Sequence, residues 1–161
     1  MDEVISVPKT VLIRVVGTQQ FPDGDEDKLE LVTLGSYHCR RAVYYILYKE
    51  SAISGLEGVT TSLRVDGEHV VLNRMGTAEL KQEFQTGILH RSTYVTPFGS
   101  LWLSVLTKHI SSNLTAQGGE LRLEYDLYVD DSLVSHNCLQ ISVKEDSPGE
   151  SVRRNQGKNL C

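Results

Sequence analysis

Leu121-Arg122-Leu123-Glu124-Tyr125-Asp126-Leu127-Tyr128-Val129 sets Leu121, Leu123, Tyr125, Leu127 and Val129 against Arg122, Glu124, Asp126 and Tyr128. Successive side chains of an extended chain point to opposite faces, so this stretch presents one face to a core and one to water. The same reading spreads outward from it. Gly118-Gly119 separates it from a long strand over Leu101 to Ile110, and Asp130-Asp131 turns it into a strand over Leu133 to Val143. Thr96-Pro97-Phe98-Gly99 has the Pro and Gly spacing of a type I turn. Before it, Leu80, Gln82 and Phe84 are expected to pair with Ile88 to Thr96 around Gly87. Asp66-Gly67 predicts a tight hairpin joining Thr60–Asp66 to Glu68–Arg74.

Nearer the start, Thr10 to Thr18 turns Val11, Ile13 and Val15 one way and Leu12, Arg14 and Val16 the other. An acidic turn, Phe21 to Asp27, leads to alternation over Leu29 to Tyr37 and then to the Tyr-rich Val43 to Glu50. Ser54-Gly55-Leu56-Glu57-Gly58 breaks the chain. The sum is about ten strands with mostly short connections and no helical crossover, so the fold is all-β and its strands pair antiparallel as a meander. Closing that meander into an up-and-down β-barrel removes its two edges. A β-sandwich is the alternative.

Composition agrees. The 161 residues include 17 Val and 11 Thr but 4 Ala, which disfavours a helical bundle. The net charge of −5 argues against nucleic acid and against an anionic membrane as partners. No apolar run has the length of a membrane-spanning helix. Residues 1–145 are expected to form one domain, and the polar, Gly- and Ser-bearing stretch 146–161 a disordered tail. Met1-Asp2-Glu3-Val4-Ile5 lacks the pattern of a signal peptide, and Cys39, Cys138 and Cys161 are an odd count without C-x-x-C. A cytoplasmic location with reduced thiols is therefore expected.

An ordered set of motifs points to one family: Tyr48-Lys49-Glu50, Arg74-Met75-Gly76, Phe84-Gln85-Thr86-Gly87, Tyr94-Val95-Thr96-Pro97-Phe98-Gly99, Gly118-Gly119 with Tyr125, and Asn137 before Ile141. In that order and spacing the chain resembles the YwiB-like family of bacterial proteins over Thr10 to Glu145. The resemblance implies a calycin-like, lipocalin-type β-barrel and brings no activity with it. The Gly-x-Trp of secreted lipocalins is missing; the single Trp, Trp102, lies in a late strand. The resemblance therefore supports an architecture and not retinoid-type transport.

Catalytic motifs do not emerge. G-x-S-x-G and the phosphate-loop patterns do not occur. Asp23, Asp25 and Asp27 open like a calcium loop, but its Gly position falls on Lys28 and its closing Glu on Leu34. His136 and Cys138 share a polar face, without a metal-ligand spacing. No catalytic residue, metal or cofactor is expected.

What stands out is polarity on apolar faces. Arg74 shares its face with Val70 and Leu72, and needs a carboxylate, for which Glu50 is the candidate, or an end from which to reach water. Asn137 has the parity of Leu133, Leu139 and Ile141. The tyrosines, Tyr48, Tyr94 and Tyr125 among them, have apolar bodies and polar tips. Arg74, Asn137, Tyr94, Glu50, Tyr48 and Tyr125 are thus candidate ligand-binding residues inside the barrel. The expected function is non-enzymatic binding of a small, largely apolar molecule. The alternative is a side-chain-filled interaction or assembly module. It would act as monomer or homodimer through an outer wall carrying Leu12, Val16, Val32, Leu34, Leu106 and Ile110.

Overall fold

Val, Ile, Leu and Tyr at every second position dictate strands, and the computed structural model, which describes residues 7–145, consists almost wholly of them. The strands are β1 (Lys9–Gln20), β2 (Glu26–Arg40), β3 (Val43–Lys49), β4 (Val59–Asp66), β5 (His69–Gly76), β6 (Leu80–Gln85), β7 (Leu89–Thr96), β8 (Gly99–Ser112), β9 (Gly119–Val129) and β10 (Ser132–Glu145). They form a single 10-stranded sheet in the order β6-β5-β4-β3-β2-β1-β10-β9-β8-β7. Every ladder is antiparallel and joins sequence neighbours, apart from β1 on β10, which runs in register from Val11↔Glu145 to Gln20↔His136. This is a nearly closed up-and-down barrel. The tail expected over 146–161 lies outside the described residues.

Two features depart from the simple meander. The expected β6–β7 hairpin is not a ladder: beyond the turn at Gly87, one isolated bridge joins Glu79, just before β6, to Val95 of β7. β6 and β7 form the sheet's two edges, and the seam between them is the one incomplete closure of the described wall. The physical reason lies in β7. It turns His90, Ser92 and Tyr94 inward, a face with little aliphatic surface to bury against Leu80 and Phe84 of β6. Second, register shifts fall at Thr107/His109 in β8 and at Leu133/Ser135 in β10. A one-residue bulge reverses the parity beyond it. Ile110, expected on the outer wall, therefore packs against the core, and Leu133 does not share the inner face of Asn137.

The interior has two halves. Toward the end that carries the turns at 41–42, 67–68 and 113–118, Val11, Ile13, Tyr37, Ile46, Leu63, Val65, Val70, Leu72, Phe84, Leu121, Leu123 and Ile141 form one buried cluster. Leu114, from the β8–β9 connection, folds into it, and the Tyr37 hydroxyl donates to the Thr115 carbonyl at 2.6 Å. Packing is tight around Gly35, where a Cβ would run into Ile13 Cδ1 and the Leu47 carbonyl. At the opposite end, inward-facing Gly17, Gln19, Leu127, Asn137 and Leu139 keep partial exposure. A Cβ on Gly17 would meet nothing nearer than Leu139 Cδ1 at 3.9 Å. The inner face is thus fully buried toward one end and partly exposed toward the other, where Leu127 and Leu139 pack against the core from one side; this partly exposed end is the cup.

Candidate functional site

The floor of the cup is built by four sheet positions and one loop. Register places Arg74 of β5 beside Thr61 of β4, which lies beside Tyr48 of β3 on the same inner face. Just past β3, Glu50 turns back over them, its backbone N–H bonded to the Val59 carbonyl at 2.8 Å. Its carboxylate, with 4% of the side chain exposed, accepts from Ser54 Oγ at 2.9 Å and Thr61 Oγ1 at 2.5 Å. Ser54 comes from the single 3-10 turn Ala52–Ser54, which is capped by Ser51 and by Gly55 at φ 74°. Arg74 Nε stands 3.9 Å from Glu50 Oε2, an ion pair too long for a hydrogen bond.

Across the barrel, Tyr125 of β9 lies between Thr107 of β8 and Asn137 of β10 on the inner face, and its ring meets Phe84 edge-on at 4.9 Å. Burial pushes the Tyr125 hydroxyl above the usual tyrosine range, while hydrogen bonding from Asn137 and the charge of Arg74 pull the other way. Burial, and next the Glu50 charge, also push Tyr48 up, again opposed by Arg74. Both phenols are therefore neutral at ordinary pH, and the Arg74 charge acts on both.

Three buried side-chain atoms in the described residues have no hydrogen-bond partner, and all three belong to this inner face: Arg74 Nε, Thr107 Oγ1 and Asn137 Oδ1. An unmet buried polar group costs roughly 1–3 kcal/mol, so a protein keeps such atoms where something else satisfies them.

Five of the six sequence-derived candidates are thereby gathered: Arg74, Glu50, Tyr48, Tyr125 and Asn137. Tyr94 is inward and half-buried on β7, opposite Leu101. Thr61, Thr107 and Ser54 were missed. Thr61 and Thr107 carried a signal, because each shares parity with apolar neighbours, Leu63 and Val65 or Leu103 and Val105.

The outer wall holds a second group. His136 Nδ1 lies 2.6 Å from Asp126 Oδ1, and Lys108 Nζ 3.6 Å from Asp126 Oδ2. With Arg122, Glu124 and Cys138 they line a groove of about 350 Å³. Burial, before any charge, pushes the Cys138 thiol up, which opposes thiolate formation, so this is not the setting of an activated nucleophile. Among the described residues no cluster of three His, Cys, Asp or Glu could hold a metal ion. Cys138 is a free thiol, and Cys161 lies outside the described residues. At the packed end a depression of about 520 Å³ is lined by Tyr44, Val65, Ile110 and Leu114, and none of the three unpartnered atoms faces it.

Similar proteins place the fold in a family. A family described as "Domain of unknown function (DUF1934)" matches residues 13–141. The "Uncharacterized beta-barrel protein YwiB" of Bacillus subtilis (strain 168) is 32% identical over 109 residues, covering 68% of this chain and 75% of that one. The solved structure described as "Crystal structure of ywiB protein from Bacillus subtilis" superposes with a TM-score of 0.76 at 25% identity, over 87% of this chain and 94% of that chain. The motif order, the ten-stranded barrel and these matches agree, and the chain belongs to the DUF1934 family of β-barrel domains, the family of YwiB.

Proposed function

We propose that this protein is a non-enzymatic binder of a small molecule, held in the cup with its polar group on the floor made by Arg74, Tyr125, Thr107 and Asn137. The observation that carries the reading is the conjunction of an inner face still open to solvent with three unpartnered polar atoms behind it. Leu127 and Leu139 supply apolar wall, so burial of an apolar body would drive binding and the floor would fix its orientation. The floor's carboxylate is already engaged by Ser54 and Thr61, which suits holding more than proton transfer. The outer faces of the strands carry Arg14, Glu30, Arg64, Arg122 and Glu124, which supports a water-facing barrel rather than a lipid-facing one. We infer a cytoplasmic location, which the free thiol of Cys138 supports.

Native mass spectrometry of protein purified mildly from its natural host tests this. A stoichiometric small molecule released on denaturation is the expected result; a consistently ligand-free mass overturns it.

A second reading rests on one observation. Leu12 and Leu34 are exposed cross-strand partners on the outer wall, with Val32 and Leu47 exposed beside them. Such a patch suits a homodimer. Leu106 and Val16, by contrast, are half-buried. A dimer mass lost in Leu34→Glu is expected if this wall is the interface, and an unchanged monomer mass in both proteins removes it.

A further inference from the structure

Resting on the cup as the binding site, we infer the chemistry of the buried head group: uncharged, with a hydrogen-bond acceptor and a donor side by side, as in a carboxamide. The three unpartnered atoms define the complement. Arg74 Nε–H can only donate, Asn137 Oδ1 can only accept, and Thr107 Oγ1 can do either. A carbonyl oxygen turned to Arg74 and an N–H turned to Asn137 would satisfy both.

Charge excludes the obvious rivals. The guanidinium of Arg74 already faces the Glu50 carboxylate, so the floor is neutral as a pair. A ligand carboxylate would put a second anion beside Glu50 in a poorly solvated place, and two carboxylates at one site repel. A ligand ammonium would face Arg74. The rim adds to the bias against anions. The turns at this end hold Asp23, Asp25, Glu57, Glu79 and Asp130 and no lysine or arginine, while Asp131 there is paired with Arg91 of β7 at 2.9 Å. Like charge at a mouth lowers the local concentration of an approaching ion of the same sign. The tyrosine hydroxyls of the floor, both neutral, impose no charge of their own.

The test is a matched series with one alkyl chain and three heads: octanamide, octanoate and octylammonium. Each is titrated into the full ¹⁵N-labelled chain, with the Arg74 Nε–H and Asn137 side-chain amide signals followed by NMR. Octanamide is expected to bind at least about tenfold more tightly than either charged probe and to shift both signals. In Asn137→Leu the preference should shrink toward equality while the chain-driven affinity remains. Thr107→Val, which keeps shape and removes one hydroxyl, should reduce it in the same direction and guards against a folding failure of the first variant. Octanoate or octylammonium binding as tightly as octanamide overturns the head-group inference and leaves the cup standing. If none of the three shifts a residue of the cup, the binding reading itself falls, and the unpartnered atoms are then satisfied by water.

Discussion

Gly35 and Gly17 both sit on inner faces of neighbouring strands, and the same substitution should separate the two halves of the barrel. At Gly35 a methyl group meets Ile13 Cδ1 and a backbone carbonyl, Leu47 O, which cannot move aside cheaply. Gly35→Ala should cost about 1–3 kcal/mol as overpacking does. Gly17→Ala points into the cup with only Leu139 Cδ1 near, at 3.9 Å, so it should change stability by less than about 0.5 kcal/mol. Urea unfolding of both variants checks this, and equal losses would sink the division into packed and open halves. At this scale the site was partly legible. Arg74 and Asn137 were readable because a polar side chain at an apolar parity is a local signal. The loop residue Ser54, which holds Glu50, was not, since nothing in Ser51-Ala52-Ile53-Ser54 says which carboxylate the turn will reach.

Among the elements, the ladders differ in how well they are held. β1 is flanked on both sides by long registered partners, β2 and β10, whereas β6 and β7 each have a full partner on one side alone. Amides beside an incomplete ladder open with less free energy than those in the middle of a sheet. Hydrogen exchange followed by mass spectrometry should therefore show peptides over 80–96 exchanging sooner than peptides over 9–20. Equal protection of the two regions would mean that the seam is closed in solution. Alternation predicted the strands themselves, and it failed at their irregularities for a physical reason. A bulge such as the one at Thr107/His109 leaves period two intact on either side, so the sequence carries both parities and only the partner strand selects between them. The β2–β3 turn was unreadable for a related cause. Arg41 and Ala42 take φ of 54° and 65°, values that glycine or asparagine would have announced.

For the molecule as a whole, alkaline pH is the condition to which the interior is most sensitive. Tyr37, Tyr48 and Tyr125 are all pushed above the ordinary tyrosine range, chiefly by burial. In the unfolded chain the same phenols ionise near their usual value of about 10. Below that pH both states hold the proton and stability is unaffected. Above it the unfolded state loses protons that the folded state retains, and stability falls. The urea midpoint should thus be flat between pH 7 and 9 and drop by pH 11, with Tyr48→Phe flattening part of the drop; a midpoint unchanged at pH 11 would contradict the buried, neutral phenols.

The β1–β10 ladder sets a timetable on synthesis. Val11 pairs with Glu145, so the first of the described strands to be made waits for the last of them. While the ribosome adds the residues between, β1 carries an uncovered edge, open to pairing with a neighbouring nascent chain. The seam at β6 and β7 lies halfway along the order of synthesis, far from that late closure. An artificial gene that began at β7, joined β10 to β1 through a linker and finished at β6 would make the β1–β10 pair early and leave its ends at a gap the barrel already tolerates.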